Sequence, residues 1–352
     1  MKNEKNKVLL NIGAIILLFI VLWFCNSTFD NYKLRILNLS GIYVVLALSM
    51  NLINGFTGLF SLGHAGFMAI GAYTSVLLTM DPAMKQMNFF LKPIVPFLAN
   101  IQLPFPIALI CGGIMAGFVA WIIGAPILRL KDDYLAIATL GFGEIVRVIF
   151  TNTQSFTNGA LGLKGVERYT TIWWSWGIAA ITVVFMVLLV KSSYGKAFKA
   201  IREDEIAAES MGINLFKHKV TSFVIGSFIA GIGGGLLGHL IGTIDPLMFR
   251  FLMTFNILLI VVLGGIGSIT GSVVSAVAVT FLLEQMRFLD QAITIGSLEL
   301  PAVPGMRMVI FAILLMSVIL FYPKGLMGRE EFEWDKLFSG YYIKRFKVRK
   351  KA

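Results

Sequence analysis

Long apolar runs recur from one end of this 352-residue chain to the other, and they limit its fold more tightly than any other feature. They lie at roughly 8–25, 36–54, 65–80, 105–127, 134–151, 172–190, 220–243, 251–267, 268–284 and 306–322, each near the ~20 residues that a helix needs to cross a bilayer. In hydrocarbon an open chain must satisfy its own peptide groups, so it crosses as helix. The expectation is an all-α fold: a polytopic transmembrane helical bundle of about ten spans, eight to ten because several runs are short or interrupted by glycine. Composition agrees, with 57% hydrophobic and 14% charged residues, against about 45–50% and 25% in soluble domains. A cytosolic enzyme, a nucleic-acid-binding domain and a secreted scaffold are excluded on that ground.

Charge sets the orientation. Lys2, Lys5 and Lys7 precede the first run, and no small-residue cleavage site follows it, so it reads as a retained signal-anchor helix. With the N-terminus in the cytoplasm and sides alternating, 20 of the 30 Lys and Arg residues fall on the cytoplasmic face. They lie in 1–7, at Arg129 and Lys131, in the loop 191–219 and in the tail 324–352. The positive-inside rule predicts this asymmetry, with both termini cytoplasmic. The net charge of +11 is therefore read as basic loops rather than as a site for a polyanion, and no nucleic-acid partner is expected. The chain divides into a single membrane domain over 1–323 and a basic cytoplasmic tail over 324–352, read as a solvated stop-transfer flank or a membrane-surface end. Cys25 and Cys111 sit inside apolar runs and have no disulfide or metal-ligand spacing.

Glycine clusters at 55–71, 112–117, 231–238 and 264–271. The pairs Gly113/Gly117, Gly231/Gly235, Gly234/Gly238 and Gly267/Gly271 have the spacing that lets helix backbones approach closely in lipid. Residues 233–238 formally spell GxGxxG, but they follow no strand, and helix packing is the better reading. No GxxxxGK[ST] occurs, so the chain binds no nucleotide through a P-loop. In 54–64, Gly55, Gly58 and Gly63 disfavour a continuous helix. That segment reads either as a kink or re-entrant turn beside a pathway, or as a short cytoplasmic turn.

Ionisable groups at membrane depth are costly and tend to mark pathways or pairs. Glu144 and Arg147 share a helix face and can pair, as conduit lining or as a structural ion pair between helices. Glu284 and Arg287 have the same spacing near a span end, where solvation is expected. Asn54, Ser61, His64 and Glu144 are the candidate pathway residues, from their polarity at membrane depth. His64 and His239 are lone histidines without an HExxH or carboxylate cluster, and GxSxG is missing. No catalytic residue, metal or cofactor is expected.

The most informative polar segment runs from Ser192 to Asn214. Phe198, Ile201, Ala208 and Met211 recur at intervals of three or seven among charged residues, which describes an amphipathic helix of about four turns ended by Gly212. Arg202, Glu203, Asp204 and Glu205 are acidic overall, so an anionic leaflet is a poor partner. Docking of Phe198, Ile201 and Ala208 into a groove on a protein is the better expectation.

Ala207 and Ala208 followed by Gly212 resemble the EAA-x3-G motif of ABC importer permeases, with Ile206 at the position of the motif's Glu. The longer string from Gly195 to Ile213 resembles the LivM-type permease of branched-chain amino acid ABC importers. Ser61 to Tyr73, Leu128 to Gly141, Thr157 to Ala160, Val262 to Ser268 and Pro323 to Leu326 fit the same family, with Asp132 where the family commonly has Gly. The resemblance covers most of the chain and implies a multi-pass inner-membrane subunit. It would form half of the translocation pathway for Leu, Ile or Val, beside a second related permease, two cytoplasmic ATPases and an external solute-binding protein. It implies that the coupling helix at about 195–212 meets the ATPase through Phe198, Ile201, Arg202, Glu203, Asp204, Glu205, Ala207, Ala208 and Gly212. The loops 81–104 and 152–171 would receive the binding protein. Urea and short-chain amide permeases of the same family remain alternatives, as does an ion-coupled secondary transporter, for which Glu144 is the one well-centred carboxylate.

Overall fold

A computed structural model of the chain describes residues 2–130, 132–290, 293–295, 298–300, 305–321, 325–328 and 330–331. The tail at 324–352 therefore lies outside the described residues, apart from 325–328 and 330–331. Each of the ten apolar runs carries a helix: α1 (Lys2–Thr28), α2 (Asn31–Met50), α3 (His64–Thr79), α6 (Phe105–Ile127), α7 (Asp132–Asn152), α9 (Ile172–Lys191), α12 (Leu215–Ile241), α13 (Phe251–Gly264), α14 (Ile269–Gln285) and α15 (Met306–Phe321). Between them come the short helices α4 (Pro82–Asn88), α5 (Pro96–Ala99), α8 (Gln154–Thr157), α10 (Ser193–Glu203) and α11 (Glu205–Ser210). Among the described residues, five helical segments are long and apolar enough to cross a membrane: Asn31–Phe56, Phe105–Ile127, Asp133–Asn152, Ile172–Lys191 and Leu215–Ile241. The helices α3, α13 and α14 have 16, 14 and 17 residues, short of the ~20 that a simple crossing needs.

The core forms around α12, against which α2, α3 and α6 all pack. Lipid tails are as apolar as leucine, so helices in a membrane associate by close packing rather than by expelling water. Glycine supplies the closeness here. Gly231 and Gly235 of α12 receive Gly71 and Ser75 of α3, while Gly234 and Gly238 receive Met68 and Val76. Rows spaced by four residues thus interdigitate on both helices. The third helix arrives at the same place. A Cβ on Gly231 would lie 2.6 Å from the Ala116 Cβ and 2.9 Å from the Gly112 carbonyl oxygen. A Cβ on Gly112 would lie 2.7 Å from the Gly71 carbonyl oxygen, so three backbones meet at one point.

On the other side of α2, the Trp176 indole donates to the Leu37 carbonyl at 2.9 Å, and the Ser175 hydroxyl donates to Asn38 Oδ1 at 2.7 Å. These bonds fix α9 against α2. Leu22 of α1 packs with Leu37, Ile172 and Trp176 in a small separate cluster. Two short antiparallel pairs complete the described structure: β1 (Leu163–Lys164) with β2 (Thr243–Ile244), and β3 (Ile293–Ile295) with β4 (Leu298–Leu300). The bundle has two distinct ends. One carries α10 and α11, with the turns around Gly55 and Gly267. The other carries α4, α5, α8 and the β1–β2 pair.

The three-backbone contact makes a prediction. Gly231→Leu should cost about 1–3 kcal/mol or more from overpacking, lowering the melting temperature of the purified protein. Gly177→Leu, where a side chain meets open space, should leave it unchanged.

Candidate functional site

The segment after α9 forms two helices, not the single four-turn helix expected from the sequence. Ser192 caps α10, accepting from the Gly195 amide. The backbone then leaves the helical region at Asp204 (φ −161°), whose carboxylate accepts from the Ala207 amide at 3.0 Å and starts α11. A residue that bonds its own downstream backbone favours this kind of restart over a continuous helix. Gly212 ends α11 with φ +81°, and the Ile213 amide donates to the Ala208 carbonyl at 3.1 Å, the glycine C-cap pattern.

The two-helix element has an apolar side, but it faces the chain's own bundle. Phe198, Ile201 and Ala208 are buried there, and Phe198 meets the His218 ring edge-on. Of the large apolar side chains it leaves outside, Ile206 and Met211 are 78% and 83% exposed and Tyr194 46%. Glu205 pairs with Lys219 of α12 at 2.6 Å. Ala207 and Glu209 are exposed, while Glu203 accepts from Arg202 Nη2 at 2.6 Å.

Arg202 is turned inward. Its Nη1 donates to the Gly55 carbonyl at 2.9 Å. A Cβ on Gly58 (φ +79°) would lie 2.9 Å from Arg202 Cγ, and one on Gly267 (φ +86°) would lie 2.6 Å from Nη1. The guanidinium therefore occupies space that only glycine leaves free, between two turns more than 200 residues apart in sequence. Asn51 ties the same turns together. Its Oδ1 accepts from the Gly267 amide at 2.8 Å, and its Nδ2 donates to the Ser268 carbonyl and Ser272 Oγ at 2.9 and 2.8 Å. The Glu331 carboxylate accepts from the Ile269 and Thr270 amides at 2.7 and 3.0 Å, capping α14.

The segment 54–64 joins the end of one membrane-length helix to the start of α3. The chain continues from α2 as a π-helical stretch, Asn51–Phe56, then runs without helix over 57–63. It turns back alongside the bundle, because His64 Nε2 lies 2.9 Å from Ser49 Oγ, seven residues before Phe56. Gly63 and Gly66 lie against Thr139 and Gly143, midway along α7. The helix α3 thus begins inside the bundle. Peptide groups exposed by such a break need partners, and side chains supply them. Thr139 Oγ1 accepts from the Leu62 amide at 2.9 Å, Thr254 Oγ1 from the Ala65 amide at 2.8 Å, and the Asn54 side chain exchanges two bonds with Ser61. Ser61 and His64 are buried within the chain and Asn54 half-buried.

Glu144 stands elsewhere. Its Oε2 accepts from Arg147 Nε at 2.7 Å, with side-chain exposures of 37% and 25%. Both residues belong to α7, so the pair joins no two helices. An i,i+3 pair contributes about 0.2–0.5 kcal/mol to a helix. A charge at the bilayer centre costs about 2.5–3.5 kcal/mol, so stability does not account for the pair. A groove of about 740 Å³ between α6, α9 and α12, lined by Leu109, Trp121, Phe185 and Phe228 among others, is almost wholly apolar and offers nothing to a charged group.

At the other end of the bundle, the loop 81–104 is built around a buried lysine. Lys85 Nζ donates to the Leu98 and Ile101 carbonyls at 2.9 and 2.5 Å. Burial holds its ammonium below the ordinary lysine value, against the opposing pull of Asp81. Asn88 joins this loop to 152–171, accepting from the Lys164 amide at 2.8 Å and donating to the Lys164 carbonyl at 2.9 Å. Among the described residues, no three His, Cys, Asp or Glu side chains are grouped to hold a metal.

The family described as "Branched-chain amino acid transport system / permease component" matches residues 32–320. The chain is similar to the high-affinity branched-chain amino acid transport system permease protein LivM of Escherichia coli K12, 32% identical over 286 residues. That alignment covers 72% of this chain and 63% of the relative, so the chain spans somewhat under two thirds of that protein's length. A probable LivM of Methanocaldococcus jannaschii is 25% identical, covering 82% of this chain and 90% of the relative. The LivH permease protein of Escherichia coli K12 is 24% identical, covering 84% and 94%. No solved structure matches.

Asn51 is buried and carries three bonds across the two turns. Asn51→Ala should lose about 1–3 kcal/mol for each buried group left unpaired, and a thermal melt of the purified chain should show the drop. An unchanged melt would mean that the turns are held by other contacts.

Proposed function

Since this chain belongs to the family of branched-chain amino acid transport permease components, we propose that it is the membrane subunit of an ATP-driven importer that takes up Leu, Ile or Val. In this reading it is a multi-pass inner-membrane protein with both termini in the cytoplasm. It pairs with a second, related permease, each forming half of the translocation pathway. Two cytoplasmic ATPases work on the α10–α11 element, and an external solute-binding protein delivers substrate to the loops 81–104 and 152–171.

The observation that carries the proposal is the α10–α11 element. It is anchored inward by Phe198, Ile201, Ala208 and Arg202, and it presents Ile206 and Met211 outward. Exposed apolar side chains on an anchored short helix are what a helix-in-groove partner needs. The docking contact is accordingly assigned to Ile206 and Met211. Arg202, with the Gly55 and Gly267 turns behind it, passes the motion of the element into the bundle. The start of α3 inside the bundle, after the non-helical stretch 57–63, supports the same reading, since transporters gather discontinuous helices at the level where substrate is held. Glu144 lines the pathway, while Asn54, Ser61 and His64 hold the break at its side.

Co-expression with the ATPase subunits tests this assignment. Ile206→Asp and Met211→Asp should each abolish co-purification of the ATPase and ATP-dependent leucine uptake. Undiminished ATPase capture by both variants would sink the docking surface. Orientation has its own readout in a chain whose native cysteines are replaced. Met87→Cys should react with an impermeant maleimide in intact cells, and Met211→Cys only after the membrane is opened. Uptake of urea or a small amide in place of leucine would overturn the substrate.

A further inference from the structure

We propose that Glu144 and Arg147 form the site that recognises the two charges of a zwitterionic amino acid. On passage the substrate exchanges with their ion pair, Glu144 taking the ammonium and Arg147 the carboxylate. The inference rests on the importer reading above and deepens it.

Position is the first argument. Glu144 lies in the middle of α7, a helix long and apolar enough to cross a membrane. The side of α7 turned to the bundle carries Leu135, Thr139, Phe142 and Val146. At roughly 100° per residue, Glu144 falls opposite that row. It shares the outer side with exposed Ile137, Ile145 and Val148. The carboxylate there faces away from the chain's own core at the depth where charge is least tolerated, and the Arg147 guanidinium, 25% exposed on the flank of the helix, reaches it at 2.7 Å. The charged pair, rather than the aliphatic side chains around it, argues that a polar pathway lies against this face in place of lipid tails.

Chemistry is the second argument. The charge of the pair is satisfied within one helix, so the pair is poised for exchange. An amino acid brings one cation and one anion a few ångströms apart, which is the complement of a carboxylate beside a guanidinium. Each partner trades one charge-assisted hydrogen bond for another, and no net charge is left uncompensated at membrane depth. The exposed aliphatic side chains beside the pair suit a branched apolar side chain. A neutral amide such as urea offers no such exchange, so the pair also separates the substrate classes that the family comprises.

The test uses the complete importer in proteoliposomes, with its binding protein and ATPases, and reads L-leucine uptake. Glu144→Gln and Arg147→Gln should assemble with the ATPases and bind the loaded binding protein as the parent does. Their kcat/KM for leucine should fall by roughly tenfold or more for the lost charge-assisted bond. Glu144→Asp and Arg147→Lys, which keep the charges, should recover part of it. Leucine kinetics within twofold of the parent in both glutamine variants would overturn the proposal. So would loss of assembly in both, which would make the pair a structural contact. A parent complex that carries no amino acid at all would instead overturn the importer reading itself.

Discussion

In hydrocarbon every peptide group must find its partner inside the protein, and the gap between α2 and α3 is where this chain meets that demand without a helix. Residues 57–63 and the start of α3 cross part of the membrane's depth with the Ser61, Leu62 and Ala65 amides bonded to the side chains of Asn54, Thr139 and Thr254. Those three residues come from three different parts of the fold, so the break holds only when the bundle is assembled. The π-helical stretch before it and the Asn51 bonds beside it belong to the same arrangement. Without them the turns around Gly55 and Gly267 would have no fixed relation, and Arg202 would have nothing to stand on.

Close packing allows this arrangement to exist at all. Where Gly71, Gly112 and Gly231 meet, the three helices lie at backbone contact, and dispersion between backbones replaces the solvent-driven association of soluble cores. The spacing of the α12 glycines was readable in the sequence, because small residues four apart have a direct geometric meaning on a helix, whereas Gly71 and Gly112 belong to no glycine pair of that spacing. Gly231/Gly235 and Gly234/Gly238 take the places that spacing implies. The ten apolar runs were legible for a similar reason, and each carries a helix. The length of those helices was less so. Apolarity marks what is buried, whether in lipid or in protein, and α3, α13 and α14 are short helices within the bundle as much as they are spans.

The segment 192–214 shows where sequence reasoning stops. Periodicity placed Phe198, Ile201, Ala208 and Met211 on one face and Gly212 at the end of the element; the structure buries the first three together but leaves Met211 exposed. It assigned that face to a partner, whereas the structure turns it inward and leaves Ile206 and Met211 outside. A periodic pattern states which residues share a side and is silent on what covers that side. The break at Asp204 was missed because the charged run masks a capping residue. Asn51, Thr139 and Thr254 were invisible for another reason: each is an ordinary polar residue in an apolar run, and its importance lies in a partner 77 to more than 200 positions away. Glu144 and Arg147 were visible as a pair, but only the burial of the opposite face of α7 shows that Glu144 points away from the chain's own core.

The dependence of the break on distant hydroxyls also has a consequence for how the protein is made. The Leu62 amide waits for Thr139, and the Ala65 amide for Thr254, 77 and 189 residues later in the chain. While the ribosome is still producing α6 or α9, the start of α3 has peptide groups whose partners do not yet exist. Hydrocarbon is closed to it until they do. The amides of Leu62 and Ala65 therefore gain these partners only once α7 and then α13 lie alongside them. In this chain the order of synthesis and the order of burial are not the same, and an error in α13 is paid at residue 65.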